Sequence, residues 1–444
     1  MKKDLTSGNI SSQIKAVSIP SSIGFFFYTM FNITDTYFAS IISTNAIASL
    51  VLASTVYFMI ISISRGMSTA VTALMGNALG QKDNTKVQNL SIHAYIFAFF
   101  MVLFLYIFFF LFVDIIFNFT ASSNEYLANS IIFINIIVLG LPFFLFASYS
   151  NAILISHGDT KSFRNILISN FILNMVLNYW FIYGGLGLNA MGFSGIAYAT
   201  ISTEFITMCY LFYKVSKLNI IKINVFKFDI GIIKEILFQG LPSTLNMTLM
   251  SMGAFILIYY LSILGDEVVS AYGIGIRLEQ MALIPSIGLS IAVSAMISQN
   301  NGAGNFRRID DIMNKIYKYS YILYFFGAIF MLLCAYILAP IFTDSINVLN
   351  EAQIYLKVNA ILLLAYILIF VNVSFLQAIK RPKMIFYIGL FRQIIMPIIL
   401  FYIAYYYDLS AVYYWIATFI SVSLATFYIH YLQKSYLKEL IEKN

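Results

Sequence analysis

Long apolar segments follow one another along almost the whole chain, and each is long enough to cross a membrane as a helix. A hydrocarbon core about 30 Å thick requires roughly 20 apolar residues per helical crossing. Of the 444 residues, 61% are hydrophobic and 10% are charged, against roughly 25% charged residues in an ordinary soluble domain. A soluble fold could not bury that much apolar surface. The sequence therefore predicts an all-α integral membrane protein.

Charged residues, Gly, Pro and Asn divide the apolar sequence into twelve predicted transmembrane helices. Their predicted ranges are 14–39, 47–74, 91–113, 128–155, 163–183, 191–213, 236–264, 269–298, 316–341, 353–379, 384–407 and 410–433. An even number of spans places both termini on the same side of the membrane.

The basic residues indicate which side that is. Of 26 Lys and Arg residues, 22 flank the termini or the loops that follow even-numbered helices. Such a bias predicts that these loops are cytoplasmic, and it explains the net charge of +7 without nucleic acid. We expect a monomer in the bacterial cytoplasmic (inner) membrane, with both termini in the cytoplasm. Its expected partners are the lipid bilayer and a small-molecule substrate.

An internal repeat relates the two halves of the chain at an offset of 222 residues. Pro20 aligns with Pro242, and Gly80 aligns with Gly302. Each half contains six predicted helices, so both halves insert in the same orientation, and a parallel pseudo-two-fold repeat with a central cleft is expected. The predicted organisation is an N-lobe over 1–213 (helices 1–6), a cytoplasmic linker over 214–235 and a C-lobe over 236–444 (helices 7–12).

A few polar residues lie within the predicted spans, where a charge costs roughly 2.5–3.5 kcal/mol on insertion scales. Asp35 is the most informative of them. Counting along the helices places Asn174, Asn178 and Thr200 at a similar depth, and Asn32 lies one turn before Asp35. A carboxylate among amide and hydroxyl oxygens predicts a proton or hard-cation site, with Na⁺ as the only metal considered. The alternative is a structural aspartate that hydrogen-bonds Asn32 or a neighbouring helix.

Other polar positions give weaker hypotheses. Pro20 lacks a backbone N–H and predicts a hinge in helix 1. Glu204, Glu279 and Arg277 are candidates for lining a substrate cavity, and structural pairing is the alternative for the two acids. The sequence shows no catalytic grouping and no phosphate-binding loop of the Walker type. We therefore expect no cofactor, and transport would draw on a proton or sodium gradient.

Several motifs, taken in order, resemble the multidrug and toxic compound extrusion (MATE) family, within the superfamily that includes oligosaccharidyl-lipid and polysaccharide flippases. They are Asn32-x-x-Asp35-x-x-Phe38 after Pro20, Gly240-Leu-Pro242, Ala271-Tyr-Gly-Ile-Gly-Ile-Arg277-Leu-Glu279-Gln280, the segment 299–303 and the segment 377–383. The resemblance implies two six-helix lobes that export cationic amphipathic compounds by alternating access, in exchange for H⁺ or Na⁺. It also implies that Asp35 belongs to the N-lobe cation site and that Pro20 takes part in bending helix 1.

The chain departs from the family pattern in helix 5, where Asn178 stands in place of an expected Asp. Two other functions remain open at this point. A flippase for a lipid-linked oligosaccharide would need a cationic cleft, for which Arg65, Arg277 and Arg392 are candidates. A membrane-embedded acyltransferase is disfavoured because no His or Cys lies beside an acid at membrane depth.

Overall fold

The structure is a computed structural model that describes residues 4–120, 124–221 and 227–442. These residues form helices joined by short loops, with no β-strand among them. The helices are α1 (Ile10–Ile42), α2 (Thr44–Gly80), α3 (Asn84–Thr120), α4 (Asn124–Leu139), α5 (Leu141–Ser156), α6 (Lys161–Tyr183), α7 (Ser194–Ser216), α8 (Ile230–Leu264), α9 (Asp266–Gly302), α10 (Phe306–Ile337), α11 (Ala339–Phe342), α12 (Ile346–Ala378), α13 (Lys383–Leu390), a π-helical turn (Phe391–Ile395), α14 (Met396–Tyr406) and α15 (Ala411–Glu442).

The predicted spans correspond to these helices. Within the described residues, ten helical segments are long and apolar enough to cross a membrane, and the bent pair α4 and α5 makes an eleventh. The remaining predicted span is α7, whose buried face carries Thr200, Thr203 and Thr207 and is therefore more polar. Several helices extend beyond their predicted ends. The 37 residues of α2 extend over about 55 Å at 1.5 Å per residue, so this helix is longer than the hydrocarbon core is thick.

The predicted fourth span, 128–155, is not one straight helix. It is broken at Gly140, where α4 and α5 meet at an angle of 51°. Pro142 lies in the first turn of α5 and lacks the N–H group that would continue the hydrogen-bond ladder of α4. A Cβ atom on Gly140 would lie 2.7 Å from Cγ2 of Ile201 in α7. The glycine thus allows the bend to approach α7 closely.

The predicted eleventh span, 384–407, is interrupted in a similar way. Residues Phe391–Ile395 form a π-helical turn between α13 and α14. Pro397 follows in the first turn of α14 and has no backbone N–H to donate. The π-helical turn therefore immediately precedes a position where the regular pattern of helical hydrogen bonds is interrupted. Arg392 lies in this turn and is buried.

Contacts divide the chain into two compact units. The first comprises Met1–Asp4 and Ile23–Gly240, and the second comprises Leu5–Ser22 and Leu241–Asn444. Helix α1 therefore belongs to the second unit up to Ser22 and to the first unit from Ile23, shortly after Pro20. Residues 222–226 of the predicted linker lie outside the described residues, and the predicted lobe boundaries remain predictions.

Glycine permits close helix packing within the second unit. Gly288 of α9 lies against the backbone of Ser18 in the first turns of α1, and an added Cβ atom would be 2.5 Å from the Ser18 carbonyl oxygen. In the first unit, the apolar core includes Leu74, Phe97, Ile137 and Tyr149, which are contributed by α2, α3, α4 and α5.

Candidate functional site

Asp35 lies on the face of α1 that packs into the first unit. Phe31, Thr34, Asp35, Phe38 and Ala39 are buried at the three- and four-residue spacing of one helix face. Asp35 is only 8% exposed. A carboxyl group in this position must find its hydrogen-bond partners on neighbouring helices.

Three side chains from α6 and α7 surround the Asp35 carboxylate. Asn174 Nδ2 donates a hydrogen bond to Oδ1 at 3.0 Å, and Asn178 Nδ2 donates to the same oxygen at 2.8 Å. Thr200 Oγ1 donates to Oδ2 at 3.3 Å. Hydrogen bonds to an ionised acceptor are stronger than those between neutral groups. The donors thus provide a specific, buried environment for the carboxylate.

The helices explain how these donors converge. Asn174 and Asn178 are four residues apart on α6 and therefore point in the same direction, and Asn178 Nδ2 also lies 3.1 Å from Asn174 Oδ1. Both asparagines are fully buried. The Asn178 Oδ1 atom is buried and has no hydrogen-bond partner among the described residues. This amide oxygen is an acceptor in the same polar cluster as the Asp35 carboxylate. Oxygen atoms grouped in this way suit a bound hydronium ion or a hard cation.

A glycine allows α6 and α7 to meet closely enough for Thr200 to reach Asp35. A Cβ atom on Gly195 in α7 would lie 2.8 Å from the Ile182 nitrogen and 2.8 Å from the Phe181 carbonyl carbon in α6. Those are backbone atoms, so they cannot move aside as a flexible side chain would.

We expect Gly195→Ala to destabilise the protein by about 1–3 kcal/mol, because the added methyl group forces the two helices apart. Thermal unfolding in detergent is the measurement. Gly273→Ala is the matched control, since a Cβ atom at Gly273 meets nothing within 4 Å and alanine is the better helix former. An unchanged midpoint for Gly195→Ala would show that the close approach has no energetic consequence.

Asn32 does not join this group. Its Nδ2 donates to the Tyr28 carbonyl oxygen one turn earlier in α1, at 2.7 Å. Asn32 was included in the predicted coupling site because it lies one turn from Asp35. The structure instead places the hydrogen-bond partners of Asp35 on α6 and α7.

A second polar group in the first unit involves Glu204 and Arg65. Glu204 follows Thr200 by one turn on α7 and interacts electrostatically with Arg65 of α2. The Arg65 guanidinium lies over the ring of Phe25 at 5.2 Å and the ring of Tyr28 at 4.7 Å. Both rings belong to α1, and a guanidinium stacked on aromatic faces is stabilised by cation–π attraction. A carboxylate and aromatic rings at one place are groups that recognise organic cations.

Glu279 lies in the second unit, in an aromatic environment. It is 6% exposed and accepts a hydrogen bond from the Tyr355 hydroxyl of α12. Tyr272 and Trp415 pack around the Tyr355 ring, with centroids at 5.6 Å and 4.9 Å. Arg277 is exposed, two residues before the buried Glu279. Arg277 and Glu279 therefore lie on different faces of α9.

Some residues of these groups were not predicted. Tyr355, the partner of Glu279, and Tyr28, which contacts Arg65, carry no sequence signal that separates them from the other tyrosines. Pro20, the predicted hinge, is buried within α1, which continues as a helix from Ile10 to Ile42. Within the described residues, no group of three or more His, Cys, Asp or Glu side chains could hold a metal ion.

The protein is a multi-pass α-helical membrane protein with polar groups buried at membrane depth. The MatE family model matches residues 20–180 and 242–403. Those two matches begin 222 residues apart, at the offset of the internal repeat. The chain belongs to the MATE family, whose members are transporters and not enzymes, which removes the acyltransferase alternative.

Individual relatives agree with this assignment. The chain is 25% identical over 337 residues to the probable multidrug resistance protein NorM of Thermotoga maritima, covering 74% of this chain and 71% of that protein. It is 24% identical over 413 residues to the FAD transporter of Shewanella oneidensis, covering 91% and 90%. A MOP superfamily transporter from Pyrococcus furiosus has the same fold, with a TM-score of 0.92 at 22% identity over 98% of both chains. The predicted family and all-α membrane fold are confirmed.

Proposed function

We propose that this MATE-family chain is an antiporter that exports small, cationic amphipathic organic compounds by alternating access, in exchange for H⁺ or Na⁺. The observation that supports the proposal is the Asp35 carboxylate, buried at membrane depth with Asn174, Asn178 and Thr200 as hydrogen-bond donors. A charge in such a place is costly unless it has a partner or a function. Ion exchange at Asp35 gives it that function.

The remaining parts of the proposal follow the sequence analysis. Pro20 acts as a hinge within α1, near the residue where the helix passes from the second unit to the first. Both termini lie in the cytoplasm, the protein works as a monomer, and its location is the bacterial cytoplasmic membrane. Glu204 attracts the cationic part of the substrate, since its carboxylate interacts electrostatically with the aromatic residue Tyr57 of α2.

Efflux from intact cells tests the proposal. A drug-sensitive strain without its own pumps is loaded with ethidium, and dye loss is followed with and without expression of the protein. We expect expression to accelerate ethidium loss and dissipation of the ion gradients to stop it. FAD is assayed in parallel, because the Shewanella oneidensis relative is named as a FAD transporter. Transport of FAD without transport of ethidium would overturn the proposed substrate class.

Glu204→Gln tests the substrate side separately. Losing the carboxylate removes the attraction for a cation, so the ethidium concentration giving half-maximal efflux is expected to rise about tenfold, which corresponds to about 1.4 kcal/mol. Glu267→Gln is the matched control, because Glu267 is exposed at the start of α9. Equal ethidium dependence in both variants would remove Glu204 from the proposed substrate path.

The flippase alternative depends on a cationic cavity. The Arg65 guanidinium is stacked on the rings of Phe25 and Tyr28, Arg392 is buried in the π-helical turn of the second unit, and Arg277 is exposed. None of these arrangements favours a pyrophosphate ligand over an organic cation, so we retain the antiporter as the proposed function.

A further inference from the structure

A cavity opens between α10 and α15 in the second unit. Its volume is about 550 Å³, and its lining includes Asp310, Tyr317, His430, Lys434 and Lys438. Small-molecule sites commonly occupy about 300–1,000 Å³. The cavity lies where α10 begins and α15 ends, which the charge distribution predicts to be the cytoplasmic side.

The cavity continues into an apolar groove along α10. This groove has a volume of about 480 Å³ and is lined by Lys318, Ile322, Phe325 and Phe326. Asn314, Tyr317 and Tyr321 line both the cavity and the groove, so the two adjoin along α10. Phe325 is 59% exposed and Phe326 is 64% exposed. A polar chamber at a helix end therefore leads directly to apolar side chains on the helix surface.

The inner wall of the chamber has defined polar groups. The Tyr317 hydroxyl lies 2.6 Å from Asn372 Oδ1 and 3.0 Å from Gln433 Oε1, so its position is fixed. The His430 ring packs against Tyr317 with centroids 5.1 Å apart. Its Nδ1 atom is buried and has no hydrogen-bond partner among the described residues. Tyr317 and His430 thus form an ordered aromatic wall of the chamber.

The charges of the space favour an anion. Three lysines (Lys318, Lys434 and Lys438) line it, together with two acids, Asp310 and Glu442, which leaves one positive charge. Lys438 Nζ lies 3.6 Å from Glu442 Oε1, but both side chains are largely exposed. Ion pairs of that kind are weak, so Lys438 can readily exchange partners.

We propose that this space binds an anionic glycerophospholipid, with its phosphate beside Lys434 and Lys438 and an acyl chain along Phe325 and Phe326. Basic pockets between transmembrane helices bind lipid headgroups in this way. Phosphatidylglycerol fits the charge balance, since it carries one negative charge. The site is independent of the proposed ion and substrate groups.

Native mass spectrometry of the purified protein tests the proposal. The protein is equilibrated with phosphatidylglycerol or with phosphatidylethanolamine, and retained lipid is counted. We expect Lys434→Ala/Lys438→Ala to bind phosphatidylglycerol about 10- to 30-fold more weakly. The double variant Lys161→Ala/Lys315→Ala is the control, because both lysines are exposed and lie outside the cavity lining. Glycerol phosphate is added as a competitor and should displace little lipid, since it lacks the acyl chain.

Asp310→Asn tests the proposal through an expected gain in phosphatidylglycerol binding instead of a loss. Removing a carboxylate near the lipid phosphate should strengthen phosphatidylglycerol binding several-fold, because it removes a like charge. Equal retention of the two lipids by the wild-type protein, or equal phosphatidylglycerol retention by wild type and the lysine variant, would overturn the proposal. Complete displacement by glycerol phosphate would show a phosphate site instead of a lipid site.

Discussion

Asp35→Asn is expected to reduce ethidium efflux to the rate of cells that lack the protein, while leaving the protein folded and inserted. Asparagine has nearly the same shape as aspartate, so the packing between α1, α6 and α7 is retained. It has no negative charge and no exchangeable acidic proton. The amide therefore cannot take part in proton or cation exchange, and substrate movement loses its coupling to the ion gradient.

Two controls separate coupling from folding. Membrane abundance and thermal unfolding of the Asp35→Asn protein should match the wild type closely. Asp408→Asn is the matched substitution, since Asp408 is exposed and has a φ of 48°, a conformation that asparagine also accepts. Its efflux should be unchanged. Normal ethidium efflux by Asp35→Asn would remove this carboxyl from the mechanism.

Asn178→Leu is expected to lower ethidium efflux by about 10- to 100-fold. Asn178 makes the shortest of the three hydrogen bonds to the Asp35 carboxylate, at 2.8 Å. A hydrogen bond to a charged group contributes about 1.5–3 kcal/mol, and every 1.4 kcal/mol is about tenfold in an equilibrium. Leucine removes this donor and also the unpartnered oxygen of Asn178, so the ionised form of Asp35 loses support.

Asn32→Leu is the matched comparison for Asn178→Leu. Asn32 carries the same amide on α1, but it donates to the Tyr28 carbonyl and not to Asp35. Its replacement should change efflux by less than about twofold, in line with the small net value of a neutral hydrogen bond at a partly exposed position. A larger loss for Asn32→Leu than for Asn178→Leu would contradict the hydrogen-bond arrangement around Asp35.

The sequence predicted the spans well because a backbone in hydrocarbon has to satisfy its own hydrogen bonds, so apolar segments of sufficient length become helices. It did not locate the local departures. The bend at Gly140 and the π-helical turn at Phe391–Ile395 depend on individual prolines and on close contacts with other helices. The residues on both sides of each break are apolar, so the composition does not mark it. The predicted spans 128–155 and 384–407 therefore continued across the breaks.

The polar groups show what depth along a helix can and cannot predict. Counting residues from the helix ends placed Asp35, Asn174, Asn178 and Thr200 at one level, and the structure joins them by hydrogen bonds. Asn32 was included because it lies one turn before Asp35, but that spacing does not tell which acceptor its amide group reaches.

The partner of Glu279 could not be predicted for a different reason. The chain has 32 tyrosines, and only the packing of α9 against α12 selects Tyr355 from them. Glu204 and Arg65 likewise lie 139 residues apart in the sequence, so their interaction depends on how α2 and α7 meet. Each could be identified from the sequence as a charged residue within a span, but their electrostatic interaction could not be predicted.

The most direct test of ion coupling at Asp35 uses purified protein in liposomes, in which a pH gradient or a sodium gradient is imposed and movement of ethidium is recorded. We expect one of these gradients to drive ethidium uphill through the wild-type protein, and we expect the Asp35→Asn protein to bind ethidium without responding to either gradient. Gradient-driven transport of equal size by the wild type and by Asp35→Asn would contradict ion coupling at Asp35.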